Sequence, residues 1–201
     1  MEEAARRGLL NLPSTVDALP CYTAEKNIRL FETHRVLSET ELRSRRDIGL
    51  DSYAKMINIE AETMLMMARR QILPAVLKYA GALASSVNAV RAAGLPFTCG
   101  SAQLSSVNAV HTAELPLACG NVLVSSLCAG IDALNDCIGL LSDALTARPA
   151  AESPEEAARY MHDKVMPAMA ALRAAADRLE TVTDREVWPF PTYDELLFSI
   201  Q

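Results

Sequence analysis

The chain has 201 residues, of which half are hydrophobic and 22% charged, with a formal net charge of −6. This balance excludes a disordered chain, and the acidic surplus argues against general nucleic-acid binding and against attraction to anionic membrane surfaces. Aromatic residues make up only 5% while alanine, leucine and methionine abound, a mixture better suited to packed helices than to a β-sandwich. Five cysteines (Cys21, Cys99, Cys119, Cys128, Cys137) form an odd set without a CxxC pair, and there is no signal peptide; both fit a reducing cytosol. No uninterrupted apolar run of about 18 residues occurs, so no membrane span is expected. The opening Met1-Glu-Glu-Ala-Ala-Arg-Arg-Gly8 reads as mid-helix without an N-cap, as though the chain started partway through something larger.

In chain order, residues 2–7 are expected to form a helical turn ending at Gly8, a good C′ residue. Residues 9–20, with Pro13 and Pro20 and no sustained period, read as an extended, packed segment. Thr23 can cap a helix over 24–35 with Ile28, Leu30 and Phe31 inward. Ser38-x-x-Glu41 is a capping box, the hydroxyl meeting the N3 amide while the carboxylate reaches back. It opens the longest helical stretch, Ser38 to about Ala93, whose apolar row runs Ile57, Ala61, Met64, Ala68, Ile72, Ala75, Tyr79, Leu83, Val87 in steps of three and four. Unbroken, that helix would be about 80 Å long at ~1.5 Å per residue, so a break is expected, with Gly49 the cheapest place for it. Pro74 is expected to bend the helix, because the periodicity runs through it.

Residues 85–124 consist of two consecutive 20-residue copies agreeing at eleven positions, including Pro96/Pro116, Cys99/Cys119 and Gly100/Gly120. Two copies are too few for a solenoid, so this reads as a tandem duplication in a helix-to-helix connector. A helix over 121–147 follows, bearing Val122, Leu123, Leu127, Ile131, Leu134, Ile138, Leu141 and Leu145. Ser153-Pro154-Glu155-Glu156 is the strongest helix start in the chain. That helix continues past Pro167 to about Thr181, with Leu172, Ala176 and Leu179 inward. Pro167 and Pro74 share a local setting, Lys164-Val-Met-Pro-Ala-Met against Gln71-Ile-Leu-Pro-Ala-Val. Thr183-x-x-Glu186 can cap one more turn, Trp188-Pro-Phe-Pro191 is rigid and extended, and Thr192-x-x-Glu195 can cap a last short helix. The fold expected is all-α: an elongated bundle of long, proline-kinked antiparallel helices with an irregular N-terminal segment and a short C-terminal helix. Residues 1–37 form the N-terminal segment and 38–201 the helical bundle domain.

Chemistry-bearing constellations are missing. No glycine-rich phosphate loop occurs, and His34, His111 and His162 sit in no HExxH or ExxH pairing. The cysteine spacings match no zinc module and read as inert thiols. Met64-Leu-Met-Met67 is core filling rather than a soft-metal surface, and Arg43-Ser-Arg-Arg46 is a solvated face pairing with Glu39, Glu41 and Asp47 rather than a phosphate site.

The ends of the chain carry more. Ala4-Ala-Arg-Arg-Gly-Leu-Leu-Asn11-Leu12-Pro13-Ser-Thr-Val-Asp17-Ala-Leu-Pro20, then Glu25-Lys26-Asn27, closely resembles a segment that follows the catalytic barrel of type III glutamine synthetases. Ile57-Asn58-Ile-Glu60-Ala with Gln71-Ile-Leu-Pro74-Ala, and Val165-Met-Pro167-Ala-Met, look like that family's next segments. Trp188-Pro189-Phe190-Pro191-Thr-Tyr193 is similar to its C-terminal signature. The matches fall in the family's order over about residues 4–84 and 160–199. Asp194 stands where the family commonly has glycine, and the doubled 85–124 segment occupies a variable connector. The resemblance implies a parent enzyme that joins ammonia to the γ-carboxylate of glutamate, using ATP and Mg²⁺ or Mn²⁺ through a γ-glutamyl phosphate. The family's metal, ATP and catalytic residues lie in the barrel, so none is assigned here. The matched residues are expected to serve structure and assembly, with a missing catalytic domain or sister subunits of a ring-shaped homo-oligomer as partners, in the cytoplasm. The alternative is a free-standing helical interaction or regulatory module derived from that enzyme. Trp188, set between a capping turn and two prolines, is expected to be docked: its emission should be blue-shifted in the native protein and move red on unfolding. A native emission maximum like that of free tryptophan would refute docking.

Overall fold

The computed structural model describes residues 3, 6–93, 118–150, 152–191 and 193–198, and the side chains of all of these except 118–121, 193 and 194. Among them every regular element is helical, as expected: α1 (Thr15–Ala18), a 3₁₀ turn (Leu19–Thr23), α2 (Glu25–Thr33), α3 (Glu39–Met67), α4 (Leu73–Ala92), α5 (Ala118–Thr146), α6 (Pro154–Tyr160), α7 (Met166–Glu180) and α8 (Tyr193–Phe198). The path to α1 is irregular and α8 is short. Two π turns, Ala68–Ile72 and Met161–Val165, join α3 to α4 and α6 to α7 without interruption. The doubled segment contributes its first residues to the end of α4 and its last to the start of α5; 94–117 lie outside the described residues.

The helix starts form where the sequence places them. The Ser38 hydroxyl accepts from the Glu41 amide at 3.4 Å, while the Glu41 carboxylate accepts from the Ser38 amide at 2.7 Å, a capping box. Ser153 accepts from the Glu156 amide at 3.2 Å, and Glu156 reaches one residue further back, to the Glu152 amide at 3.0 Å. Gly8 ends the first turn in the left-handed region at φ 73°.

Elsewhere the structure differs. Residues 14–23 are not extended: Ser14 caps α1 by accepting from the Asp17 amide at 3.1 Å, and Pro20 enters the 3₁₀ turn. Thr23 does not cap α2; its hydroxyl donates to the Pro20 carbonyl and accepts from Arg46. Leu30 points outward at 54% exposure, since the inward face of α2 is set by Ile28 and Phe31, and Leu30 lies two residues from one and one from the other. Thr183 donates to the Leu179 carbonyl at 2.6 Å, and it is Asp184 that holds the Glu186 amide, at 2.9 Å. Thr192 lies outside the described residues. Trp188 is half-buried, its ring edge-on to Phe190 at 6.3 Å.

The prolines do not end their helices. A proline lacks the N–H and its ring clashes with the carbonyl four residues back; those carbonyls, of Arg70 and Asp163, lie inside the two π turns. Each π turn ends two residues before its proline, and each buries its first and last residues: Ala68 and Ile72, Met161 and Val165. A wider turn keeps residues four apart on one line, so the buried face passes each proline unbroken.

The chain packs as two compact units, each with its own buried set. The first comprises Met1–Leu65 and Leu140–Ala171. Its core joins Val16 of α1, Leu50 of α3 and Ala158 of α6, with Leu19 and Tyr53 packed against them. Tyr53 donates to the Met166 sulfur at 3.0 Å, and Tyr160 to the Ala144 carbonyl at 2.8 Å. The second comprises Met66–Gly139 and Leu172–Gln201. It buries Ile72 and Val76 of α4, Leu127, Leu134 and Ile138 of α5, and Leu172, Ala175, Ala176 and Leu179 of α7.

Gly49 does not break the helix. It lies mid-α3, and a Cβ there would stand 3.0 Å from one Leu19 methyl and 3.2 Å from the other; glycine lets the 3₁₀ turn approach the helix. Gly130 does the same for Leu179, whose Cδ2 a Cβ would meet at 2.6 Å.

Over Val122–Thr146, α5 is long and apolar enough to cross a membrane by length and composition. The stretch is not an unbroken apolar run, because Ser125, Ser126, Asn135 and Ser142 interrupt it. Asp132 and Asp136 fall beside the middle of that stretch, where an aspartate costs about 2.5–3.5 kcal/mol in lipid. Leu127, Leu134, Ile138 and Leu141 are buried at helical spacing, while 17% of the most apolar window is buried in all.

The glycines give a test of opposite signs. Gly81 is helical, and a Cβ there would meet nothing within 4 Å, so Gly81→Ala should stabilise by about 0.5–1 kcal/mol through helix propensity. Gly130→Ala should destabilise by about 1–3 kcal/mol, because buried Leu179 must shift. Urea unfolding of both variants checks this; a stabilising Gly130→Ala would mean that α5 and α7 do not pack this closely.

Candidate functional site

A concavity of about 530 Å³ lies in the first unit. One wall is a face of α3, where Asp51, Lys55 and Asn58 follow at helical spacing beside Ala54 and Ile59; the opposite wall is Arg148-Pro149-Ala150, after α5. Ala157 of α6 and the fully buried Met161 complete the lining. Its polar groups are already linked. Lys55 pairs with Asp51 at 2.7 Å, Arg148 donates to the Asn58 side-chain oxygen at 3.2 Å, and the Asn58 amide donates to Glu62 at 2.8 Å. The lining therefore carries two cations and one carboxylate.

A smaller depression, about 240 Å³, lies where α2 meets α3, lined by Glu32, Arg35, Val36, Leu37, Ser38 and Glu41. Its shape follows from the end of α2: Arg35 takes φ 52°, Val36 N–H reaches the Phe31 carbonyl at 2.9 Å and Arg35 N–H the Glu32 carbonyl at 3.0 Å, a Schellman motif with arginine where glycine is usual.

The sequence-matched residues divide between the two units, Pro74 and Trp188–Tyr193 falling in the second and the others in the first. Asn11, Leu12 and Pro13 are exposed on the path to α1; Asp17 is half-buried, accepting from the Ser14 hydroxyl at 2.6 Å. Glu25 pairs with Arg29 in the first turn of α2, and Lys26 is exposed beside it. Asn58 lines the larger groove, whereas Glu60 faces solvent. Pro74 and Pro167 are exposed on the outer sides of their helices. Trp188 and Phe190 are half-buried against each other, between exposed Pro189 and Pro191. Tyr193 begins α8, its side chain outside the described residues. Sequence reasoning does not single out Lys55 and Arg148: Lys55 shares a face with Asn58, but Arg148 is 90 residues from its partner.

Arg43 pairs with Glu39 and Arg46 with Asp47, so the basic run is largely tied to its own carboxylates. Of the methionine cluster, Leu65 is buried, Met64 and Met67 half-buried and Met66 exposed. His34 is exposed at the end of α2, and His162 contacts Asp163 at 2.7 Å; His111, Cys99 and Cys119 lie outside the described residues. Cys21, Cys128 and Cys137 are free thiols. Among the described residues no three of His, Cys, Asp and Glu stand together to hold a metal ion, and every well-buried side chain is apolar. The donor set present does not fit Mg²⁺ or Mn²⁺, and metal-dependent phosphoryl transfer finds no ligands among these residues.

The described residues are thus all-helical around an apolar core. The family model of the glutamine synthetase C-terminal domain matches residues 1–91. Over nearly its whole length the chain is similar to the type-3 glutamine synthetase of Dictyostelium discoideum, 33% identical over 197 residues. It is also similar to the glutamine synthetases of Butyrivibrio fibrisolvens and Bacteroides fragilis, 28% and 26% identical. These alignments cover 98–100% of this chain and 25–26% of each relative, so the chain spans about a quarter of the length of the relatives it matches. The resemblance to the type III enzymes holds across the chain, and the region is glutamine synthetase-derived.

Glu41, at the smaller depression, gives a pH test. The Ser38 backbone N–H and then the Ser38 hydroxyl hold its carboxyl below the ordinary glutamate value. A folded-state value below the unfolded one means that its contribution to the start of α3 is present above the unfolded value and is lost as pH falls through the lowered one. NMR titration of Glu41 Cδ should show a midpoint below that of a glutamate in an unstructured peptide. An equal or higher midpoint would refute the capping box in solution.

Proposed function

We propose that the chain is the structural and assembly region of an ATP-dependent glutamate–ammonia ligase acting in glutamine biosynthesis, and that it is not catalytic by itself. The observation that carries this reading is the family match over residues 1–91, joined to alignments that cover the whole chain and a quarter of each relative. ATP and Mg²⁺ or Mn²⁺ belong to the remaining part of such an enzyme, which works in the cytoplasm without nucleic acid or membrane partners. Residues 1–37 link to that part. Asn11, Leu12, Pro13, Asp17, Glu25 and Lys26, together with Asn58, Glu60 and the Trp188–Tyr193 signature, shape the surfaces that meet it or a sister subunit of a ring. Exposed Leu9 and Leu10 at one end and Leu196, Leu197 and Phe198 at the other support this, being large apolar side chains left uncovered. A free-standing interaction module is favoured only by the duplication at 85–124, a change that relaxed constraint tolerates.

The purified chain should show no γ-glutamyl transfer with ATP and Mg²⁺ or Mn²⁺, and should co-purify with the other three-quarters of a type III enzyme when the two are co-expressed. Activity of the chain alone would overturn the non-catalytic reading; failure to co-purify would favour the module.

A further inference from the structure

The groove between α3 and residues 148–150 has a chemical character that the assembly reading does not use. Its volume, about 530 Å³, falls within the roughly 300–1,000 Å³ of small-molecule sites. Most of its wall is apolar, with Ile59 and Pro149 the larger accessible apolar side chains in the lining. The charges are few and unequal. Asp51 neutralises Lys55 at 2.7 Å, whereas Arg148 is held by the neutral Asn58 oxygen at 3.2 Å, and among the described residues no carboxylate is within ion-pair distance of it. Glu62 reaches this network only through the Asn58 amide.

Asn58 thus fixes a guanidinium at the groove edge through one of its five donors and leaves the rest of the fork for a ligand. A guanidinium fork matches a carboxylate in two parallel hydrogen bonds. Lys55, one turn along α3 from Asn58, adds a second positive group on the same side. We propose that this groove binds a small organic carboxylate, its anionic end on Arg148 and its apolar body over Ile59 and Pro149. The apolar walls make the body as necessary as the charge, which separates such a ligand from a bare inorganic anion. The inference stands on the groove alone and does not depend on the assembly reading.

Isotope-labelled 201-residue chain titrated with hexanoate, with hexanol and with inorganic phosphate tests this. Hexanoate should shift the Arg148 Nε–H and the amides of Arg148 and Ala150 saturably, and bind about tenfold more tightly than hexanol. Arg148→Met should bring hexanoate down to the hexanol level, and Arg148→Lys should fall between, since it keeps the charge and loses the fork. Lys55→Met should cost less than Arg148→Met, because Asp51 already pairs with that ammonium. Far-UV circular dichroism and the melting temperature of each variant confirm that an exposed substitution has left the fold intact. Equal binding of hexanoate and hexanol, phosphate binding as tightly as hexanoate, or Arg148→Met within twofold of the parent would each overturn the proposal.

Discussion

The constraint on which the fold depends is that two prolines sit inside helices whose buried faces must stay continuous. A proline in a helix interior forfeits one hydrogen bond and crowds the carbonyl four residues before it, costing about 3 kcal/mol in a regular helix. Here the backbone widens by one turn ahead of each proline. The hydrogen bonds shift from four to five residues apart, and the side chains that the core needs remain on one line. Ala68, Ile72 and Val76, spaced by fours, are buried across Pro74. Met161 and Val165 are buried ahead of Pro167, and Leu172 beyond it. Had either helix broken at its proline, the residues beyond would have left these cores.

Close approach is the second requirement, and glycine meets it at two places. Leu19 rests on the bare backbone at Gly49, and Leu179 on that at Gly130. In both, helix propensity is given up for contact area: a glycine in a helix interior costs about 0.5–1 kcal/mol relative to alanine, while full burial of a leucine, as at Leu179, yields about 1.5–3 kcal/mol. The balance favours packing. The same trade explains how a composition poor in aromatic residues fills its cores with leucine, alanine and methionine.

Charge is kept at the edges. No charged or polar side chain is buried among the described residues, and the ion pairs are mostly exposed neighbours within single helices, such as Glu39 with Arg43 and Asp51 with Lys55. Pairs of that kind contribute about 0.3–0.5 kcal/mol each and stabilise helices more than they dictate which helices meet. Arg148 differs: its partner Asn58 comes from a helix 90 residues earlier in the chain, and that bond both closes one side of the groove and leaves a cation facing it. Charge thus stays at the surface, and the interior of the described residues is apolar.

Much of this was legible locally. Ser38–Glu41 and Ser153–Glu156 place two helix starts, because a capping box is satisfied by residues three apart. The periodic rows at 57–87 and 172–179 identify helices and their inner faces, because period reports which side must be dry. Four motifs in order identify the type III glutamine synthetases. What sequence misjudged depended on contacts distant along the chain. Gly49 looks like a breaker until Leu19 is found against it. Leu30 looks apolar and inward until the orientation of α2 is fixed by Ile28 and Phe31. Thr23 and Thr183 look like caps until their hydroxyls are drawn to the Pro20 and Leu179 carbonyls. The pairing of Asn58 with Arg148 leaves no trace in spacing at all. Local hydrogen bonding and periodicity are written in the sequence; which surfaces meet is decided only when the tertiary structure lets one buried contact outweigh a local preference.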